Sequence, residues 1–144
     1  MTRLAVIGIG SPFGGDRIAW SLIERLQHSR FASAGGMSFE VSDRPGPALL
    51  ERLSGAERAI LIDAVAGADE PAAWYAEDAF ARLSAPLSGH AIGLAETLDL
   101  GRALGDLPAL ELLGLRLQPD GSAGPRACAA GLRLLIRRLR NLSG

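Results

Sequence analysis

Three features of the 144-residue chain predict an α/β fold: a single three-layer α/β/α domain with a mostly parallel, roughly five-stranded sheet. Short continuous apolar runs, Leu4–Ile7 and Ala59–Ile62, have the length and β-branched content of strands buried on both faces. Between such runs lie stretches with apolar residues at helical spacing, such as Ile18, Leu22, Ile23 and Leu26. The two signals alternate with short links, which calls for right-handed crossovers and helices on both faces of the sheet. A chain of this length holds one core, so a single domain over residues 1–144 is expected.

Leu4 to Ile7 forms the first strand. Gly8, Gly10, Pro12, Gly14 and Gly15 follow as a turn-rich loop, with Asp16 placed to cap a helix over Ile18 to Gln27. Ser29 to Gly36, made of small residues, reads as loop, and Met37 to Ser42 as a second strand with Phe39 and Val41 on one face. Asp43 to Gly46 is a turn, and Pro47 suits the first turn of a helix through Leu49, Leu50 and Leu53. A third strand over Ala59–Ile62 ends at Asp63. Gly67 to Pro71 is loop, Ala72 to Glu77 a short strand, and Leu83 to Gly89 loop again. His90 or Gly93 begins a helix stopped near Gly105. Leu110 to Leu117 is a strand, Pro119 to Gly124 a mobile loop, and Pro125 opens a last helix with a stripe of Leu132, Leu135, Ile136 and Leu139.

Composition narrows the function classes. All fifteen cations are arginine and the net charge is −1, which argues against a general nucleic-acid binder. Arg133, Arg137, Arg138 and Arg140 on the last helix read as a solvated face, because no aromatics interleave with them. The single cysteine, Cys128, permits no internal disulfide and reads as a core thiol. No run approaches a membrane span or a cleavable leader, so a soluble cytoplasmic protein is expected.

Three places can carry chemistry. The loop Gly8–Arg17 follows a strand and precedes a helix, as phosphate loops do, but it lacks Gly-Lys-Ser/Thr and the dinucleotide spacing. Composition alone favours a tight turn capped by Asp16. Asp63 directly follows a buried strand, where an acid pays a desolvation cost unless it is hydrogen-bonded or binds a cation. Helix capping and a functional role both fit it. His90 sits among small residues at a loop-to-helix transition, suited to metal ligation or to a structural role. His28, near the end of the first helix, reads as a dipole partner. In an open α/β sheet, sites form beyond the carboxyl ends of the strands, and both Gly8–Asp16 and Asp63 point to that edge.

In this order, the segments resemble the hydrogenase maturation endopeptidases, which trim the large subunit of nickel–iron hydrogenases. The resemblance rests on Gly8-Ile9-Gly10-Ser11-Pro12-Phe13-Gly14-Gly15-Asp16-Arg17, Asp43–Leu50, Leu61-Ile62-Asp63-Ala64-Val65, Ser88-Gly89-His90-Ala91-Ile92-Gly93-Leu94-Ala95-Glu96 and Gly114–Pro119. It implies recognition of nickel already seated in the precursor, no resident cofactor, and removal of a C-terminal extension. By the resemblance, Asp63 and His90 are metal-engaging site residues. The family's third acid falls on Arg17, and the acid present is Asp16, one position earlier. Arginine stays protonated and cannot ligate a cation. Asp16 substitutes as ligand, or Arg17 grips a precursor carboxylate, or metal recognition has been lost. The expected partner is a hydrogenase large-subunit precursor. The alternatives are a non-catalytic relative that binds or escorts a metalloprotein precursor, and a small-molecule enzyme using the glycine loop for phosphate.

Overall fold

The structure is a computed structural model that describes residues 3–10, 17–43, 46–88 and 93–143. Strands β1 (Leu4–Ile9), β2 (Met37–Ser42), β3 (Arg58–Val65), β4 (Ala72–Tyr75) and β5 (Ala109–Arg116) form one sheet in the order β2-β1-β3-β5-β4. β1 pairs in parallel with β2 and β3, and β3 in parallel with β5, whereas β4 runs antiparallel along the outer side of β5. The helices are α1 (Ile18–Gln27), α2 (Arg30–Ser33), α3 (Pro47–Leu53), α4 (Glu77–Ser88), α5 (Leu94–Leu104) and α6 (Pro125–Ser143).

The pleat sorts the apolar residues of the sheet into two cores. On β3, Ile60, Ile62 and Ala64 pack with Leu22 and Ile23 of α1 and Leu135 and Leu139 of α6. Ala59, Leu61 and Val65 turn the other way and pack with Leu49 and Leu53 of α3, Phe80 of α4, and Leu94 and Leu98 of α5. This is the expected three-layer arrangement. On α6 the buried line is Ala127, Gly131, Leu135 and Leu139, with Leu132 and Ile136 half-buried on its flank. Arg138 grips Glu111 with two bonds of 2.6 and 3.0 Å, tying α6 to β5, so one arginine of the basic face serves packing. No helix among the described residues is long and apolar enough to cross a membrane.

At one glycine, close approach decides the packing. A Cβ on Gly8 would lie 2.8 Å from Ile23 Cγ1 and 2.9 Å from the Ala19 carbonyl oxygen, so the missing side chain lets α1 seat on β1. Gly8→Ala is expected to cost about 1–3 kcal/mol through overpacking. Thermal unfolding followed by circular dichroism checks this, and an unchanged melting temperature would show that α1 retreats without penalty.

Three local expectations are corrected. The 29–36 segment contains α2: Phe31 is buried and its amide donates to Ser29 Oγ at 3.3 Å, a capped turn inside what reads as loop. The 83–89 segment begins inside α4, because the fully buried Phe80 fastens a helix whose Ser and Pro86 read locally as breakers. β3 does not end at Asp63. Ala64 and Val65 continue the ladder opposite Leu115 and Arg116 on β5. Within the 119–124 loop the Gln118 amide donates to the Ser122 carbonyl at 2.8 Å, and the Ser122 amide and hydroxyl both donate to Asp120 at 2.9 and 2.6 Å. Those bonds hold the Asp120 carboxyl below its ordinary range.

Candidate functional site

β1 leads through α1 to β2 on one side, while β3 leads to β4 and β5 on the other. The strand order therefore reverses between β1 and β3, and open α/β sheets bind ligands beyond the carboxyl ends at such a switch point. Asp63 stands on this lip, two residues inside the end of β3 and half-buried. Alternation turns it to the side of Leu61 and Val65, the layer covered by α3, α4 and α5. Its Oδ1 accepts the Ala64 amide at 2.8 Å, which orients the carboxylate. Directly across in register on β5 is Gly114, where a Cβ would meet Tyr75 Cε2 at 2.6 Å and Val65 Cγ1 at 3.0 Å. The glycine gives the Tyr75 ring its place beside the strand that carries Asp63.

Connecting helices begin at the same edge. A helix connecting parallel strands returns against their direction, so the N-termini of α1 and α5 lie at the carboxyl end of the sheet. The N-cap of α5 is Gly93, and Leu94 is buried with Ile7, Ile9 and Val65. Glu96 folds back over this first turn: a Cβ on Gly93 would lie 2.7 Å from its Oε2. Glu96 is the N3 residue, an acid at the positive end of the helix. Gly105, at φ 74°, closes the other end of α5 as expected. Asp16 and His90 lie outside the described residues, and so does Asp16's expected capping role.

Arg17 is described, and its side chain runs along α1. It is the N-cap residue of α1 and makes no side-chain cap bond. Its guanidinium pairs with Glu24 at 3.1 Å, with both side chains about half exposed (50% and 51%). Glu24 lies seven residues down the helix, about 10 Å from Arg17 along the axis and away from the lip. His28 is the C-cap residue of α1, the position expected for it.

Other groups at this edge carried no functional signal in the sequence. Trp20 Nε1 donates to the Ser42 carbonyl at 3.1 Å, and the Gly10 amide donates to the same oxygen at 2.9 Å. One acceptor thus joins the ends of β1 and β2 to α1. Arg116 reaches the Asp69 carbonyl at 2.8 Å, and its amide donates to the Pro71 carbonyl at 2.9 Å, bracing the loop after β3. Tyr75 lies tilted against Phe80, with ring centroids 6.3 Å apart. Burial raises its phenol above the ordinary 10.0, helped by the charges of Asp69 and Glu70 and opposed by Arg116.

The native state therefore favours protonated Tyr75. That contribution is complete below pH 10.0 and is lost as pH climbs through the raised native value. Urea unfolding between about pH 9 and 11 is expected to show a steeper alkaline loss of stability in the parent than in Tyr75→Phe. Superimposable profiles would discount the effect.

Among the described residues no group of three or more His, Cys, Asp or Glu is placed to hold a metal ion. A cleft of about 710 Å³ lies along β2 and α3, lined by Ser38, Glu40, Ala48, Glu51 and Arg52 among others.

No family model matches the sequence, and no curated protein matches it. Solved structures do. The hydrogenase maturating endopeptidase HybD from E. coli is 22% identical, with TM-score 0.70 over 97% of this chain and 93% of that one. The [NiFe] hydrogenase maturation protease HycI from Thermococcus kodakarensis KOD1 is 16% identical, with TM-score 0.65 over 99% and 94%. This chain has the hydrogenase maturation endopeptidase fold. An endopeptidase from Escherichia coli, solved in solution, superposes with TM-score 0.75 at 20% identity over 97% and 93%. At these identities the likeness is one of fold, and within the hydrogenase maturation endopeptidase fold Asp63 occupies the switch point of the sheet.

Proposed function

We propose that the protein is a processing endopeptidase that removes the C-terminal extension of a nickel-loaded hydrogenase large-subunit precursor. The observation that carries this reading is the placement of Asp63: an oriented carboxylate on the lip between β1 and β3, in a chain with the fold of the hydrogenase maturation endopeptidases. Asp63, His90 and Asp16 are the residues proposed to engage the nickel, which arrives as part of the substrate. Arg17 drawn to Glu24 supports Asp16 as the acid of the first loop, since the guanidinium then does not repel a cation at the lip.

In this reading the ion anchors the precursor so that one peptide bond lies over the edge of the sheet. Nickel supplies Lewis-acid polarisation of the scissile carbonyl or of a water molecule. Water adds across the bond, leaving a new carboxylate on the large subunit and a new amine on the released tail. The reading calls for no acyl-enzyme and no resident cofactor, and it places the protein in the cytoplasm with its precursor.

The test is incubation with nickel-loaded precursor, followed by intact mass. Loss of the tail from the loaded precursor and not from the nickel-free one is expected. Binding without cleavage would instead identify a non-catalytic escort, and neither binding nor cleavage would refute the assignment.

A further inference from the structure

β2 is an outer strand of the sheet, paired with β1 only. The carbonyls of Gly36 and Ser42 accept from Leu4 and Gly10 of the β1 segment. By the two-residue period, Ser38 and Glu40 also turn their backbone groups inward, and Met37, Phe39 and Val41 turn theirs outward. On that outer row the Phe39 carbonyl accepts Gln27 Nε2 at 2.9 Å. The amides of Met37, Phe39 and Val41 have no partner among the described residues. The strand, Met-Ser-Phe-Glu-Val-Ser, contains no proline or lysine of the kind that blunts an exposed edge.

The cleft of about 710 Å³ runs beside this edge, floored by Ser38 and Glu40 and walled by Ala48, Glu51 and Arg52 of α3. A strand edge next to a helix-walled groove is the geometry in which an extended peptide adds to a sheet. Main-chain bonds then supply affinity, and alternate side chains enter the groove.

We infer that an extended segment of the polypeptide being processed docks in the β2–α3 groove as an additional strand on the β2 edge. The inference rests on the endopeptidase reading. A strand added outside β2 lies three strand spacings from β3, about 14 Å, so a chain crossing the lip at Asp63 reaches it within about five extended residues. Glu40 and Glu51 stand against the one guanidinium of Arg52, so a basic or neutral polar side chain suits the groove positions. The Arg52–Glu40 pair, at 3.5 Å with both side chains 40% exposed, is loose enough to open around it. Docking displaces the Gln27 amide from the Phe39 carbonyl.

The experiment uses the full protein and nickel-loaded precursor. Hydrogen exchange of the 37–42 amides is expected to slow in the complex. Val41→Pro removes one outward donor without touching the β1 ladder and is expected to raise KM about ten-fold with kcat unchanged, the worth of one strong hydrogen bond. Gln27→Ala, which clears the Phe39 carbonyl, is expected to lower KM. Cleavage by the parent with unchanged exchange over 37–42 would overturn the docking inference and leave the endopeptidase reading standing, and so would an unchanged KM in a folded Val41→Pro protein. Protection of β2 in the protein alone, rising with concentration alongside a dimer, would assign the edge to a second copy and overturn it as well. A parent that neither binds nor cleaves the precursor would refute both.

Discussion

Asp63→Asn is expected to lower kcat/KM for the nickel-loaded precursor by at least about a hundred-fold while leaving the melting temperature within a few degrees of the parent. The substitution keeps the volume of the side chain and an oxygen that accepts the Ala64 amide, so the end of β3 retains its local bond. What it removes is the negative charge, and a neutral amide oxygen is a much poorer ligand for a divalent ion than a carboxylate. His90→Ala is expected to fall with it, and the double variant to lose little more than either alone, because groups that hold one ion act as a unit. Cleavage is read by intact mass over a range of precursor concentrations. Undiminished processing by Asp63→Asn would remove this carboxylate from the mechanism.

The largest effect on stability is expected at Phe80. It is fully buried, anchors α4 to the layer over Leu61 and Val65, and meets the Tyr75 ring. Phe80→Ala combines lost apolar burial with a cavity in a region bounded by rigid strands, and should cost about 3–5 kcal/mol. For a chain of this size that corresponds to a fall in melting temperature of about 10 °C or more. Because α4 lies beside the loop after β3, where Ala66 donates to the Leu83 carbonyl at 3.3 Å, the variant should also loosen the surroundings of Asp63. Differential scanning calorimetry checks the magnitude, and a loss below about 1 kcal/mol would mean that α4 repacks over the gap.

The contrast between α1 and α4 shows what the sequence exposes. In α1 the apolar residues recur at a regular spacing between a glycine loop and His28, and the observed bounds match the expected ones. α4 has little periodic signal after Phe80 and Leu83, and its serine and Pro86 imitate a loop; its helicity comes from the sheet beneath it, which local pattern does not contain. The four-residue α2 was hidden for the same reason, since Phe31 alone fastens it to the core. β3 was legible to within two residues, because its last pairs depend on where β5 happens to end.

At the candidate site, the position of Asp63 near the carboxyl end of β3 was legible because an acid after an apolar run is chemically conspicuous. Trp20, Tyr75 and Arg116 were not. Each matters through a single distant partner, a carbonyl or a ring, and such pairings have no sequence period. Arg17 looked like an obstacle in sequence and is drawn along α1 by Glu24, a partner seven residues away that only a helix brings within reach.

The division of the apolar interior by the sheet leaves one practical freedom. Asp63, Ile9 and Leu94 all belong to one layer, while the chain's single thiol, Cys128, sits half-accessible on α6 against the opposite one. A maleimide fluorophore on Cys128 would therefore report tumbling and assembly from the layer opposite to that of Asp63.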